Sequence, residues 1–409
     1  MADIQGLKEK VQREIDEIAP LLIECSDWMA DNPEIGLQEY QASSKLAQML
    51  EESGAEVERG IADLPTAFRA ALPGSRSGGP AIAILAEYDA LPDVGHGCGH
   101  NIIGNAAVGA GMALSRLGRH GELGGSGDLP GKVVVIGTPA EENAGGKIDI
   151  LEHGYFYDVD AAIMIHPTTR DEIAPRHLTV YGIEFEFHGK AAHAAFDPDQ
   201  GINALDAVIQ TFVNIGLVRQ QVRSEARLHG VITHGGGAPN VIPPYAACRF
   251  LVRSFDVGYA QELKRRVIAC AEGAAIATGA KLEWHEYVKP YLSYLPNDAL
   301  GEVVRANMEA LGRTVGYPEE VRASTDFGNV SQVVPTAYAN FGICGEEVGW
   351  HSKGVAAATR TERGHDALIA AAKTLALSTL DLLGDPDLIA RAKREHQAAS
   401  AARAGSIVC

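Results

Sequence analysis

Side chains that bind metals or transfer protons follow three short apolar segments of the chain. They are Asp89, Cys98 and His100 after the segment 81–86, Glu141 and Glu142 after the segment 132–137, and His166 directly after the segment 160–165. A thiolate, imidazoles and carboxylates together form a ligand set that suits zinc and similar divalent ions. Each residue alone has an ordinary structural explanation, such as a buried cysteine or a solvated pair of glutamates. Their joint occurrence after three segments predicts a metal site.

The three apolar segments predict strands that are buried on both faces. They are nearly continuous apolar runs separated by helical stretches such as 101–117, a pattern typical of an α/β sheet. Ligand sites in such sheets form at the carboxyl ends of the strands, where these polar side chains lie. Gly95, Gly97 and Gly99 would permit a tight loop around Cys98, although alone they also fit an ordinary glycine-rich turn.

The middle of the chain has a different pattern. Alternating and helical segments follow one another in the order β-α-β-β-α-β, which is the ferredoxin-like arrangement. The segments are strand 179–187, helix 202–222, strand 230–234, strand 246–254, helix 259–278 and strand 281–288. We therefore expect residues 1–178 and 293–409 to form a discontinuous α/β domain with an α+β domain of residues 179–292 inserted into it. The composition of Gly121–Gly131 predicts a surface loop.

The charge and the cysteine spacing narrow the classes of partner and compartment. With 35 basic and 53 acidic residues the formal net charge is −18. Such a surface repels phosphate backbones and anionic lipids, so we expect neither nucleic acid nor a membrane as a partner. We also expect no spanning helix, because no uninterrupted apolar run approaches the ~20 residues it needs, and no signal peptide. Six widely spaced cysteines without a C-x-x-C pair are typical of reduced thiols, which predicts a cytoplasmic enzyme.

Several motifs, in this order and spacing, resemble those of the M20 metallopeptidase family. The metal-binding motifs are AEYDALPDVGHGCGHN at 86–101, GTPAEEN at 137–143 and IMIHP at 163–167. The others are NPEIGLQEY at 32–40, KAAHAA at 190–195, GGGAPNVIP at 235–243, STDFGNVSQVVP at 324–335 and WHS at 350–352. The chain is most similar to the amidohydrolase branch, which includes aminoacylases, p-aminobenzoyl-glutamate hydrolase-like proteins and the Xaa-Arg dipeptidase group. The resemblance implies an α/β/α catalytic domain and an inserted ferredoxin-like domain that serves as lid and dimerisation surface.

The resemblance also implies roles for individual residues. The expected ligands of two divalent metal ions per subunit, Zn, Mn or Co, are Cys98, His100, Glu142, His166 and His351. Two ions ~3.5–4 Å apart can share and activate a water molecule, which needs one carboxylate outside the metal ligands as general base and acid, here Glu141. Asp89 would orient a ligand imidazole from outside the metal ligands.

Residues of the inserted domain are expected to act on the substrate. In the family, the residues that match His193 and Asn240 reach the active site of the partner protomer, where His193 would stabilise an oxyanion. This implies a homodimer, or a larger homo-oligomer, built on the inserted domain. Arg253 is a candidate for binding a substrate carboxylate, but it equally fits an exposed strand arginine. Ser324 and Thr325 are expected to line the pocket.

The leading hypothesis is a two-metal amidohydrolase that cleaves an N-acyl amino acid, an aryl-amide of glutamate or a dipeptide. A related aminohydrolase that releases ammonia from an aromatic amine would carry the same motifs. A Cys98 nucleophile paired with His100 has poor geometry, because only one residue of a glycine loop separates them. A non-catalytic binding protein on the same scaffold would have lost Glu141 or a ligand, and this sequence retains them.

Overall fold

The computed structural model describes residues 4–74, 78–119, 129–318 and 321–406, so most of the predicted loop Gly121–Gly131 lies outside the described residues. The helices are α1 (Ile4–Asp31), α2 (Tyr40–Glu52), α3 (His100–Arg119), α4 (Gly146–Glu152), α5 (Ala204–Val218), α6 (Val257–Thr278), α7 (Asp298–Ala310), α8 (Phe327–Ser331), α9 (Lys353–Ala358), α10 (Glu362–Gly384) and α11 (Pro386–Ser406). The strands are β1 (Glu56–Arg59), β2 (Phe68–Ala71), β3 (Ala81–Ala86), β4 (Lys132–Gly137), β5 (Ala161–Thr168), β6 (Glu172–Ile173), β7 (Arg176–His177), β8 (Thr179–His188), β9 (Arg227–His234), β10 (Tyr245–Ser254), β11 (Lys281–Tyr291), β12 (Val321–Ala323) and β13 (Thr336–Gly342).

These elements form two compact units. The first unit comprises the chain up to Arg176 and the chain from Tyr294 to Ala401, apart from three residues. The second unit comprises His177–Ser293, the three residues Arg322–Ser324 and the end of the chain from Ala402.

The first unit is an α/β fold around a seven-stranded sheet in the order β1-β2-β4-β3-β5-β13-β6. The four central strands run parallel, whereas β1, β2 and β6 pair antiparallel at the edges. Every residue of β3 is buried, which confirms the prediction of strands covered on both faces. The helices α1, α3 and α10 pack against one another, and α3 and α10 also contact β3 and β5.

The core helix α10 bears on the expectation that the chain has no membrane-spanning helix. It is the one helix among the described residues that is long and apolar enough to cross a membrane by length and composition. Most of its apolar window, 72%, is buried inside the protein, as in the core helix of a globular domain. Its polar residues point to partners on α1, with Lys373 Nζ 2.6 Å from Asp16 and Asp381 2.5 Å from Lys8 Nζ.

The second unit has the predicted order β-α-β-β-α-β, formed by β8, α5, β9, β10, α6 and β11. Its antiparallel sheet has the order β11-β8-β10-β9, which is the ferredoxin-like topology. Phe185, Phe250 and Leu263 belong to its own hydrophobic core. The helix predicted over 202–222 spans Ala204–Val218. The Asn203 side chain accepts two N–H groups of the first turn and fixes its start, and a 3-10 turn, Arg219–Gln221, follows its end.

Candidate metal centre

The candidate ligands lie at one edge of the large sheet, where three strands end. The strands β4, β3 and β5 are parallel neighbours, so their carboxyl ends meet. Asp89 follows β3, Glu141 and Glu142 follow β4, and His166 lies near the end of β5. His100 is the first residue of α3, one residue before the predicted helical stretch 101–117.

The glycine loop before α3 brings Cys98 next to His166. Gly99 has φ +80°, and a Cβ added there would lie 2.8 Å from the ring of Pro167, the residue after His166. Only glycine tolerates both the left-handed backbone and this close approach. The Cys98 Sγ lies 3.5 Å from the His166 Nε2 as a result.

The imidazoles of His100, which is buried, and of His166, which is half-buried, are oriented so that their Nε2 atoms face the cluster. The Asp89 Oδ1 accepts the Nδ1–H of His100 at 2.8 Å, and the Pro167 carbonyl accepts the Nδ1–H of His166 at 2.6 Å. Because both acceptors hold the proton on Nδ1, each Nε2 keeps a free lone pair, the form in which histidine binds metals. The Asp89 Oδ2 also accepts the main-chain N–H of Glu142 at 3.0 Å. Asp89 thus contacts two candidate ligands at once.

All five predicted ligands and Glu141 come together. Their donor atoms form three groups in which every pair of atoms is within 4.8 Å: Cys98, His100 and His166; Cys98, Glu142 and His351; His100, Glu141 and Glu142. The Glu142 Oε1 lies 3.6 Å from the His351 Nε2 and 3.8 Å from the His100 Nε2. Cys98, His100 and Glu142 each belong to two groups, so the three groups form one continuous cluster.

His351 and Ala140, which lie on two of the cluster loops, have a strained backbone. His351 has φ +57° and Ala140, immediately before Glu141, has φ +61°. Non-glycine residues in this region cost on the order of 1–3 kcal/mol and concentrate at functional sites.

The cluster has the charge and the unpaired atoms that divalent cations require. Its carboxylates are Glu87, Asp89, Glu141 and Asp326, which are buried, and Glu142, whose side chain is 11% exposed. Among the described residues, Lys147 is the only buried lysine or arginine that could balance them. The His100 Nε2 and the Glu142 Oε1 are buried without a hydrogen bond. Buried charges and unbonded polar atoms are unfavourable unless something pairs with them, so the residues fit divalent metal ions.

Burial shifts the protonation of the cluster in the absence of a cation. Burial lowers the pKa of His166 to about 4, so its imidazole is neutral. Burial, with the nearby charges of Glu87 and Glu142, raises the pKa of Glu141 well above its ordinary value. Burial also raises the pKa of the Cys98 thiol, whereas a coordinated cation favours the thiolate. A carboxyl that readily holds a proton beside the neutral imidazole of His166 suits acid–base chemistry.

The sequence analysis did not single out three buried charged residues at the centre, Glu39, Glu87 and Lys147. It included a fourth, Asp326, only as part of the motif at 324–335. The Lys147 Nζ lies 2.6 Å from Glu87 and 2.6 Å from Asp326. Glu39 accepts the N–H of Ala140 at 2.8 Å. Glu39 and Glu87 lie inside motifs that were recognised, so their type and position were a usable signal. A single lysine in a helical segment such as Lys147 carries no such signal.

The other predicted site residues lie outside the three donor groups. His193 and Asn240 belong to the second unit, are exposed, and lie on adjoining loops, because the Asn240 carbonyl accepts the N–H of Ala194 at 3.0 Å. In the same unit the Arg253 Nη1 donates to the Ser324 Oγ at 3.2 Å, and Arg253 is half-buried rather than an exposed strand arginine. Thr325 is buried in the first unit, where its hydroxyl accepts the N–H of Phe327.

Comparison with known proteins places this architecture in a family. The profile of Peptidase family M20/M25/M40 matches residues 83–376. The chain is 34% identical over 407 residues to Xaa-Arg dipeptidase of Mus musculus, covering 97% of this chain and 93% of that protein. It is 29% identical to one subunit of the p-aminobenzoyl-glutamate hydrolase of Escherichia coli (strain K12), covering 91% of each chain. A crystal structure of a dinuclear metal-binding peptidase from the M20 family of Bacillus subtilis aligns with a TM-score of 0.69 at 24% identity, covering 90% of this chain and 99% of that one.

The family match includes every residue of the three donor groups, from Cys98 to His351. It spans well over half of the chain, and the mouse relative extends the similarity to nearly its whole length. The chain therefore belongs to Peptidase family M20/M25/M40 and is a metal-dependent hydrolase of C–N bonds.

Proposed function

We propose that the protein binds two divalent metal ions and hydrolyses the amide bond of a small substrate that carries a carboxylate. Dipeptides, N-acyl amino acids and aryl-amides of glutamate are the substrate classes. The observation that carries the proposal is the convergence of five ligand-type side chains around one further carboxylate, Glu141. The names of the mouse and Escherichia coli relatives support it, since both describe the cleavage of amide bonds beside a carboxylate.

In this proposal Cys98, His100, Glu142, His166 and His351 hold the ions. Bound divalent ions would lower the pKa of a shared water molecule and polarise the scissile carbonyl. Glu141 accepts the proton of the attacking water and transfers it to the leaving nitrogen. Asp89 keeps the His100 Nε2 free for metal binding and fixes the backbone of Glu142. Zn, Mn and Co all suit this ligand set, and the supply of metal selects among them.

A hydrolysis screen of the metal-loaded protein tests the proposal. The substrates are dipeptides, N-acyl amino acids and aminobenzoyl-glutamate, and the readout is release of a free amine. We expect activity that a chelator abolishes and that added metal restores, and no activity in the loaded Glu141→Gln variant. Release of ammonia from aromatic amines, without cleavage of any amide, would replace the proposal with an aminohydrolase. Activity that survives complete metal removal would contradict it.

We also propose that two copies associate through the second unit. Three large apolar residues on one side of α5 are exposed, Ile209 by 48%, Val213 by 51% and Leu217 by 58%. Val231, on the edge strand β9, is 60% exposed. An exposed apolar stripe and an open sheet edge that carries an exposed valine support pairing with a second copy in two-fold symmetry. Light scattering should give the mass of a dimer or a larger even oligomer, and Val213→Asp should reduce it.

The compartment that we propose is the cytoplasm. All five described cysteines are free thiols. Reduced thiols are stable in that compartment, and the proposed Cys98 ligand requires one. Fractionation of cells expressing the tagged protein would test this.

A further inference from the structure

Glu87 is a fully buried carboxylate beside the candidate ligands, and the roles described so far do not use it. It is the first residue after β3, and its side chain is 1% exposed. Its Oε1 lies 2.6 Å from the Nζ of Lys147. A buried carboxylate needs a compensating positive charge, and this contact supplies part of it.

The same lysine is already held by a second carboxylate. The Asp326 Oδ1 lies 2.6 Å from the Lys147 Nζ, and the Asp326 Oδ2 accepts the main-chain N–H of Lys147 at 3.0 Å. One ammonium therefore faces two buried carboxylates. Because Asp326 alone would neutralise Lys147, the pair with Glu87 leaves one negative charge in excess.

The excess charge faces a candidate metal ligand. The Glu87 Oε2 lies 3.5 Å from the His100 Nε2, an atom that makes no hydrogen bond. The Nδ1–H of His100 is bonded to Asp89, so the Nε2 lone pair and the carboxylate oxygen face each other. Two such atoms repel each other unless a cation or a proton lies between them.

The spacing suits a shared ion. Two donor atoms that each lie ~2.0–2.2 Å from one ion, at the angles of tetrahedral or octahedral coordination, are about 3–3.5 Å apart. The distance from Glu87 to His100 equals the 3.5 Å between the Cys98 Sγ and the His166 Nε2, two of the five predicted ligands.

We propose that Glu87 is a further carboxylate of the metal centre, directed at the ion on His100, and that Lys147 and Asp326 orient it. The inference rests on the proposed function, because it requires that His100 binds a divalent ion. Lys147 holds one carboxylate oxygen and so presents the other to the ion. The carboxylate of Asp326 accepts hydrogen bonds from both the side chain and the main-chain N–H of Lys147, and so fixes the position of the lysine.

Glu87→Gln tests the inference, because the amide keeps the size of the side chain and an oxygen for Lys147 while removing the charge. Metal-free wild type and variant are titrated with Zn²⁺ in competition with a chromogenic chelator, and with Co²⁺ followed by its absorption spectrum. We expect one of the two ions to bind about 10–100-fold more weakly in the variant, and its Co²⁺ bands to change. Glu87→Asp, which keeps the charge on a shorter side chain, should lie between the two proteins.

Thermal unfolding of the metal-free proteins separates this effect from misfolding. If metal-free Glu87→Gln does not fold, the Glu87→Asp variant carries the comparison with wild type. Two ions bound with wild-type affinity and an unchanged Co²⁺ spectrum in Glu87→Gln would overturn the inference while leaving the proposed function intact. A wild-type protein that binds no divalent ion would overturn both.

Discussion

Glu39 accepts the main-chain N–H of Ala140 at 2.8 Å, although the two residues are 101 positions apart. Ala140 has a left-handed backbone and directly precedes Glu141. The other carboxylate oxygen of Glu39 accepts the hydroxyl of Thr66 at 3.0 Å, so both oxygens of this buried side chain are engaged. Glu39 therefore fixes the turn that presents the proposed general base.

The short segment 34–39, which includes Glu39, also contacts the loop after β3 that carries Asp89. The Glu34 carbonyl accepts the N–H of Ala90, the residue after Asp89, at 2.8 Å. A Cβ added to Gly36 would lie 2.9 Å from the Cα of Ala140, so this glycine packs directly on the strained turn. The segment 34–39 thus holds both the loop after β3 and the loop after β4.

Replacing Glu39 by leucine should impair both activity and stability. The variant leaves the Ala140 N–H and the Thr66 hydroxyl without their acceptor, at a cost of ~1–3 kcal/mol for each buried group. A displaced Glu141 should lower kcat by about 10–100-fold with a smaller change in KM. Glu39→Gln keeps an acceptor for Ala140 and should retain most activity. Steady-state kinetics and urea unfolding measure both effects, and a wild-type kcat in Glu39→Leu would contradict the positioning role.

The titration of Glu39 should be visible in the pH dependence of stability. Burial, with the nearby charge of Asp89, raises the pKa of Glu39 to about 7 from 4.5. The folded protein therefore holds this proton more tightly than the unfolded chain. The resulting stabilisation is fully present below pH 4.5 and is lost as the pH rises through 7, by up to about 3 kcal/mol. Glu39→Gln does not titrate, so its stability relative to wild type should rise by that amount between pH 4.5 and 8. If the pKa of the Glu39 carboxyl were not raised, urea unfolding across this range would show a constant difference in unfolding free energy between wild type and Glu39→Gln.

The sequence predicted that the candidate ligand side chains would come together, because the motifs place them after strands whose apolar character is unmistakable. β3 and β4 have the predicted bounds, and the five predicted ligands form the donor groups. The supporting ion pairs could not be predicted in the same way. Lys147 meets Asp326 across 179 positions of the chain, and this contact depends on how α4 and the loop before α8 pack. Spacing along the sequence carries no information about such a contact.

Glu141→Gln should keep the metals and lose nearly all turnover. The amide can neither accept the proton of the water nor deliver it to the leaving nitrogen, and general acid–base catalysis contributes ~10²–10⁴-fold. Glu142→Gln is the matched control, because it alters the neighbouring carboxylate, which we assign to the metal. That variant should lose bound metal as well as activity. Metal analysis alongside kcat distinguishes the two, and a wild-type kcat in Glu141→Gln would mean that the two roles are assigned wrongly.

Cys98→Ser should weaken metal binding more than it disturbs folding. The Cys98 Sγ belongs to two of the three donor groups, so its loss affects both ions. We expect affinity to fall by more than the ~10–100-fold that loss of an outer partner causes. The sheet is held by its own apolar burial, so the metal-free variant should unfold within a few degrees of metal-free wild type, about 1 kcal/mol or less. Full metal occupancy in a folded and active variant would remove Cys98 from the centre.

Mixed dimers test whether His193 serves the active site of the neighbouring subunit. His193 is exposed on a loop of the second unit, the unit whose apolar stripe we propose as the dimer surface. His193→Ala and Glu141→Gln should each be nearly inactive alone, since one lacks the oxyanion donor and the other lacks the base. After subunit exchange, one of the two sites in a mixed dimer regains both an intact Glu141 and an intact His193 from the partner. Each mixed dimer should then have about half of the activity of a wild-type dimer. If mixed dimers form, as native mass spectrometry can establish, and no activity returns, His193 acts within its own chain or has no catalytic role.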